Sequence, residues 1–106
     1  MSEQVRASHI LLMYQGSMRS TATRSKDDAQ REIQSIKDQL DQGSEFDDLA
    51  QEHSDCPSSQ KGGDLGTFGR GQMVDAFEDT AFSLPVGEIS DVIETPFGYH
   101  VIKRTA

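Results

Sequence analysis

The chain has 106 residues, of which 34% are hydrophobic and none is tryptophan, so it has room for one domain with one modest core. Its formal net charge of −8 argues against nucleic-acid binding, because phosphate contacts need an excess of Lys and Arg. A single cysteine excludes an internal disulfide. The sequence also lacks a secretory leader and any run of about 20 apolar residues, so we expect a soluble cytoplasmic protein without a membrane span.

The first predicted element is a strand over residues 5–14, VRASHILLMY, in which both alternating faces carry apolar residues from Ile10 onward. This pattern is typical of a central strand that is covered on both sides. Residues 15–25 are polar, small and without periodicity, which predicts a loop. Loops of this length in compact folds are often functional or disordered.

Two helices are predicted after this loop. Ser25 should cap the first helix at its start, and Gly43 should end it in the left-handed conformation. Ser44 is predicted to cap a second, short helix. The inward residues, from their spacing, are Ala29, Ile33, Ile36 and Leu40 in the first helix and Phe46, Leu49 and Ala50 in the second.

The segment over residues 54–72, SDCPSSQKGGDLGTFGRGQ, contains five glycines and is predicted to be a loop with a short strand at residues 65–68. A third helix is predicted over residues 75–84, followed by paired strands at 91–95 and 99–104 joined by TPFG. The order of elements predicts an α+β domain with a small, mainly antiparallel sheet. The inward residues of the third helix are predicted to be Phe77, Ala81 and Leu84.

Four side chains are candidates for chemistry: His9, His53, His100 and Cys56. His9 and His100 lie in the first and last predicted strands and would meet if these strands pair, because neighbouring strands are about 4.8 Å apart. His53 and Cys56 have the spacing of two metal ligands. A structural zinc site usually has two such pairs, and the chain contains one, so we predict no metal site.

A second interpretation makes Cys56 a nucleophile with a histidine as its base, and a loop rich in Gly, Ser and Pro suits such a group. The alternative is structural. Cys56 would then be a small buried residue, and the strand histidines would form a hydrogen-bonded core pair with Thr95 or Ser54 as partners. Chemistry alone favours these structural roles.

Four separated segments carry a further signal: RASHILL, SDCPSSQKGGDLGTFGRGQM, AFEDTAFSLPVGEIS and FGYHVIKR. In order and spacing they resemble the parvulin family of peptidyl-prolyl cis/trans isomerases, from Val5 to Arg104. The resemblance implies one domain over residues 1–106 with a four-stranded antiparallel sheet surrounded by four helices, one of them a single turn near Pro57–Lys61. It also implies isomerisation of X-Pro bonds in peptides and in unfolded or flexible proteins, without a cofactor.

The resemblance also implies a set of site residues. His9 and His100 match the family's paired histidines, and Cys56 matches its active-site Cys-or-Asp position. Thr95 matches a hydroxyl that supports the histidines, while Ser54 is the other predicted hydrogen-bond partner. The proline-holding pocket is matched by Leu65, Met73 and Phe77, and Phe68 and Phe97 are expected to complete the walls.

A resemblance to one group within the family bears on which residue the site prefers before proline in the substrate. Pin-type parvulins, which prefer phospho-Ser/Thr-Pro, resemble this chain closely but use a Lys where it has Met13 and adjacent arginines where only Arg19 is in register. Arg24 is expected to point elsewhere. A phosphate generally needs several charge-assisted partners, so Arg19 is a weak candidate contact and little preference for phosphorylated substrates is expected. Val74 and Phe97 replace polar residues of Pin-type sites, which suits hydrophobic or varied residues before proline.

A peptide-binding module with little isomerase activity is the competing class of function. The chain retains both histidines, Cys56 and the apolar pocket, which favours an enzyme. Met1 lies just before the first strand and the chain ends two residues after Arg104. These positions leave no WW or chaperone domain, so we expect a stand-alone, monomeric isomerase.

Overall fold

A computed structural model describes residues 4–17 and 22–106. Within these ranges the chain forms four strands, three α-helices and one turn of 3₁₀ helix, which confirms the predicted α+β class. In chain order the elements are β1 (Gln4–Leu12), α1 (Lys26–Asp41), α2 (Phe46–His53), the 3₁₀ turn (Pro57–Lys61), β2 (Asp64–Gly69), α3 (Asp75–Ser83), β3 (Ile93–Thr95) and β4 (Gly98–Arg104).

The four strands form one antiparallel sheet in the order β2-β1-β4-β3. The first and last strands of the chain are therefore the two central ones. In the β1–β4 register, His9 lies opposite Ile102 and Leu11 lies opposite His100. Because side chains alternate along a strand, His9 and His100 are diagonal neighbours on the same face of the sheet.

Each face of the sheet is covered by its own apolar cluster, as the two apolar faces of β1 predicted. Helices α1 and α2 cover one face, and α3 covers the other. The first cluster contains Ile10, Leu12, Ala29, Ile33, Ile36, Leu40, Phe46, Leu49, Ala50, Tyr99 and Val101. The second contains Val5, Ala7, Phe68, Phe77, Ala81 and Ile102, and the two strand histidines face this side, against Phe77.

The caps predicted for the two ends of α1 are confirmed, whereas the cap predicted for the start of α2 is not. The Ser25 hydroxyl accepts a hydrogen bond from the backbone N–H of Asp28 at 3.1 Å, so this cap is confirmed. After the helix, Gly43 has φ +103°, and the N–H of Ser44 donates to the carbonyl of Gln39 at 3.0 Å. The prediction that Ser44 caps α2 is wrong, because its backbone closes the end of α1 and Glu45 occupies the cap position.

Two strands are shorter than predicted. The last two residues of the predicted first strand leave the sheet, where the N–H of Met13 donates to the Asp55 carboxylate and that of Tyr14 donates to the Ser17 hydroxyl. β3 begins at Ile93 rather than at residue 91. None of the helices in the described ranges has the length and apolarity that a membrane crossing requires.

Candidate active site

The histidine pair lies on the α3 side of the sheet. The Nδ1 atoms of His9 and His100 are 3.1 Å apart, and the rings stack with centroids 5.2 Å apart. On its other side, His100 places Nε2 2.7 Å from the hydroxyl oxygen of Thr95, which also accepts the backbone N–H of Phe97. The structure thus forms a chain of hydrogen bonds from the TPFG turn through both rings.

Burial keeps both rings neutral. The exposed fraction is 5% for His9 and 3% for His100. Burial lowers the pKa of His9 to about 4. It also lowers the pKa of His100 to about 3, with a further contribution from the neighbouring His9. Both rings meet Phe77 edge-on, at centroid distances of 5.4 and 5.5 Å, so the pair forms a rigid, uncharged surface at neutral pH.

An open cleft of about 490 Å³ lies over this pair. The three residues expected to hold proline, Leu65, Met73 and Phe77, all line it. Cys56 and Phe97 line the cleft as well. Met13, at the position of the Pin-type Lys, lines the cleft too, and three further lining residues were not expected from the sequence, namely Leu11, Pro57 and Gln72. The signal for Leu11 and Met13 was present, because they continue the alternation of His9 along the chain.

A β-bulge in β2 contains Leu65. Ser8 pairs with Asp64 and Arg6 with Thr67, so two residues of β2 oppose a single residue of β1. Gly66 takes φ +74° within this bulge, and its N–H donates to the Asp64 carboxylate at 2.9 Å. Because bulges re-aim side chains, this irregularity accounts for the entry of Leu65 into the cleft.

Two further lining residues, Met73 and Val74, lie in a turn before α3. The carboxylate of Glu78 accepts the N–H of Gly71, and the side-chain carbonyl of Gln72 accepts that of Gly69 at 3.0 Å. The N–H of Glu78 itself donates to the carbonyl of Val74 at 2.9 Å. These bonds fix the turn that presents Met73 and Val74 to the cleft.

The segment carrying Cys56 is bonded to β1 and to the residues that follow it. Asp55 donates its N–H to the carbonyl of Leu11 at 2.7 Å, and its carboxylate accepts the N–H of Met13 at 2.8 Å. The Ser54 hydroxyl accepts the backbone N–H groups of Leu11 and Cys56 at 3.1 and 3.4 Å. The predicted bond from Ser54 to the histidines is therefore wrong, since this hydroxyl organises the loop backbone instead. Cys56 itself is partly exposed rather than buried.

Two further expectations concern residues outside the cleft. Phe68 does not line it. The Phe68 ring is buried behind Phe77 at 6.0 Å and beside Phe82 at 6.2 Å, because Phe68 pairs with Val5 in the core of that face. Arg24 is not among the residues that line the cleft, as expected, and Arg19 lies outside the described residues.

A metal site has no support in the described part of the chain. In residues 4–17 and 22–106, no group of three or more His, Cys, Asp or Glu side chains is placed to hold an ion. His53 lies at the end of α2, where its Nε2 is 3.7 Å from the carboxylate of Glu52. The two-ligand spacing of His53 and Cys56 is thus not completed by further ligands there.

Comparisons with known proteins agree with this geometry. The family described as the PPIC-type PPIASE domain matches residues 1–106. The chain is 48% identical to peptidyl-prolyl cis-trans isomerase Pin1 of Digitalis lanata, with 98% of both chains covered. Its structure is similar to that of peptidyl-prolyl isomerase ESS1 from Candida albicans, with a TM-score of 0.91, 37% identity and coverage of 97% of this chain and 63% of that one. It also resembles peptidylprolyl isomerase PrsA from Bacillus anthracis, with a TM-score of 0.78, 39% identity and coverage of 99% and 42%.

Proposed function

The chain belongs to the PPIC-type peptidyl-prolyl isomerase family and is a peptidyl-prolyl cis/trans isomerase, and from this premise we propose that it acts by non-covalent stabilisation of a twisted X-Pro amide. Its substrates are proline-containing peptides, and by this proposal also unfolded or flexible proteins. The observation that carries the proposal is the apolar cleft over a neutral, buried histidine pair. The cytoplasmic location and monomeric state expected from the sequence stay predictions.

The reaction requires no bond to break. The barrier to rotation about a peptide bond is about 18–20 kcal/mol and arises from the resonance lost when the C–N bond twists. For X-Pro bonds the uncatalysed rotation takes tens to hundreds of seconds. A site that binds the twisted amide more tightly than either planar form therefore suffices as a catalyst.

Two features of the cleft would favour the twisted amide over the planar forms. Leu65, Met73 and Phe77 form an apolar cup in which the proline ring is held and from which water is excluded. Twisting localises the lone pair on the amide nitrogen and reduces the polarity of the C–N unit, and a less polar setting favours that form. The histidine pair would supply a fixed, uncharged surface beneath the rotating bond.

A covalent role for Cys56 has little support in the geometry. A nucleophilic thiol needs a base within hydrogen-bond reach. The Nδ1 atoms of His9 and His100 face each other, and the remaining nitrogen of His100 faces Thr95. The remaining nitrogen of His9 is buried without a partner in the described structure. We therefore assign Cys56 a role as a weakly polar neighbour of the substrate carbonyl.

The proposed preference is for unphosphorylated substrates. None of the described residues that line the cleft is Lys or Arg. Met13, Val74 and Phe97 instead present apolar side chains there. The guanidinium of Arg24 forms ion pairs with two carboxylates. A chain with a net charge of −8 also repels a phosphate at long range. A phospho-Ser/Thr-Pro-directed isomerase is the alternative that these features disfavour.

A refolding assay tests the proposal. Catalytic amounts of the protein should accelerate the slow, proline-limited refolding phase of an unrelated protein. Met73→Ala, which shortens the wall of the cup at a partly buried residue that packs against the second apolar cluster, should reduce the acceleration about tenfold, the loss of binding energy that one apolar side chain supplies. Binding of the unfolded protein without any acceleration would contradict the proposal and identify a peptide-binding module.

A further inference from the structure

Arg24 contacts three parts of the molecule from the end of the loop that precedes α1. One guanidinium nitrogen, Nη1, donates to the backbone carbonyl of Met13 at 2.9 Å and to the carboxylate of Asp55. The Nε atom lies 3.4 Å from the carboxylate of Glu32. The side chain is only 26% exposed, so these contacts hold it in one place against the body of the protein.

The same carboxylate oxygen of Asp55 that binds Arg24 also accepts the backbone N–H of Met13 at 2.8 Å. Arg24, Asp55 and the backbone of Met13 therefore form a closed set of hydrogen bonds, which we call the Arg24 clasp. β1 ends at Leu12, and the clasp fastens the chain just beyond that point. It thus substitutes for the strand pairing that the sheet no longer provides there.

The clasp joins two segments of the chain whose residues line the cleft. Met13, whose backbone is part of the clasp, lines the cleft, and so does Cys56, which follows Asp55 in the chain. A second backbone bond, from the N–H of Asp55 to the carbonyl of Leu11, ties the same two segments together. The position of Met13 relative to Cys56 is accordingly set in part by Arg24 and Asp55, which do not line the cleft.

We propose that Arg24 is a positioning residue of the isomerase site, which holds the Cys56 segment against the end of β1 through Asp55. Arg24 touches no substrate in this arrangement and acts only through Asp55 and Met13. The inference rests on the proposed function for the reaction that it supports. It assigns a role to a basic residue that contacts Met13 and Asp55 without lining the cleft itself.

Arginine is suited to this role and lysine only in part. A guanidinium directs several N–H donors in a fixed plane and can serve a carbonyl and a carboxylate together. A lysine ammonium at this position would keep the charge on a flexible stem. Arg24→Lys should therefore recover only part of the activity that Arg24→Ala loses, whereas a general requirement for a buried aliphatic stem would leave the Lys variant as active as the wild type.

The test uses the single cysteine of the chain as a reporter. Alkylation by iodoacetamide then measures the accessibility of Cys56 alone, and kcat/KM on an Ala-Pro peptide measures the site. The variants are Arg24→Ala, the isosteric Asp55→Asn and the double variant. Glu32→Ala is the matched control, because it removes the other carboxylate partner of Arg24 and leaves the clasp intact.

We expect each single variant to lower kcat/KM about tenfold, since displacements near 1 Å cost one to two orders of magnitude, and to raise the alkylation rate at least about threefold. The double variant should lower kcat/KM no further than either single variant does, because both substitutions disrupt the same set of hydrogen bonds. The control should change neither quantity by more than about twofold.

Three results would overturn the inference: an unchanged alkylation rate, additive losses of kcat/KM in the double variant, or full activity of Asp55→Asn. An inactive but folded wild-type protein would overturn the proposed function, while alkylation would still decide whether the clasp exists.

Discussion

His9 and His100 are buried residues that titrate within an accessible range of pH. Their folded-state pKa values, about 4 and about 3, lie below the value of about 6.5 expected in the unfolded chain. The unfolded state therefore binds more protons below pH 6.5. The stabilisation from the neutral pair is fully present above that pH and is lost as the pH falls toward the folded-state values.

Stability should accordingly decrease with acid before most carboxylates titrate. Between pH 6.5 and 5 we expect the free energy of unfolding to fall by up to about 1.4 kcal/mol per pH unit for each histidine that takes up a proton on unfolding. Urea unfolding followed across this range measures the slope. A stability that is constant from pH 6.5 to 5 would contradict the burial of two neutral rings.

Cys56 provides the second prediction at the level of single residues. If its thiol is only a polar neighbour of the carbonyl, Cys56→Asp should keep kcat/KM within about tenfold of the wild type, which is the loss expected from weakening one polar contact. The measurement is a protease-free isomerisation assay on an Ala-Pro peptide, with Cys56→Ala as a control for the effect of truncation. A Cys56→Asp variant that folds and is inactive would indicate a covalent step instead.

Some contacts of these residues could be predicted from the sequence, and others could not. The meeting of His9 and His100 follows from strand alternation and from the pairing of the first and last strands. The partners of hydroxyl groups do not follow, because they depend on the path of a loop. Thr95 reaches His100, as the resemblance implied, but the Ser54 hydroxyl accepts the backbone N–H groups of Leu11 and Cys56 instead.

At the level of elements, the glycines of the segment after α2 serve two different purposes. Gly63 has φ +87°, and a Cβ added there would lie 2.3 Å from the backbone oxygen of His9. Gly66 has φ +74°, but nothing lies within 4 Å of the corresponding position. The first glycine permits close approach of two backbones, and the second permits the bulge of β2.

These two positions form a matched pair for mutation. Gly66→Ala should lower the free energy of unfolding by about 1–3 kcal/mol, the cost of a positive φ for a residue with a side chain. Gly63→Ala should cost clearly more, because it adds a clash with His9 to the same strain. Thermal or urea unfolding of both variants measures the difference. Equal losses would show that β1 moves freely away from Gly63.

The sequence predicted the helices better than the irregular segments. The buried face of α1 and the caps at its ends are local features, encoded by spacing and by Ser25 and Gly43. The residues around the bulge gave no equally local signal. The presence of five glycines among residues 54–72 indicates that unusual backbone is needed, but not which glycine approaches a neighbour and which one bends a strand.

At the scale of the whole molecule, the order of strands assembles the site from distant parts of the chain. The histidines are separated by 91 residues and meet because β1 and β4 are the two central strands. The cleft opens on the side of the sheet that α3 covers, while α1 and α2 support the other side. An apolar cleft in a protein with a net charge of −8 suits a neutral substrate better than a dianionic one.

A panel of peptides that differ only in the residue before proline tests this account most directly. The series should compare Ala-Pro, Leu-Pro and phospho-Ser-Pro, with Glu-Pro as a control for negative charge alone. We predict that kcat/KM for the Ala and Leu peptides equals or exceeds that for the phosphopeptide, because no described cation lines the cleft. A preference of about a hundredfold or more for the phosphopeptide, which corresponds to about 2.7 kcal/mol of additional transition-state binding, would contradict it.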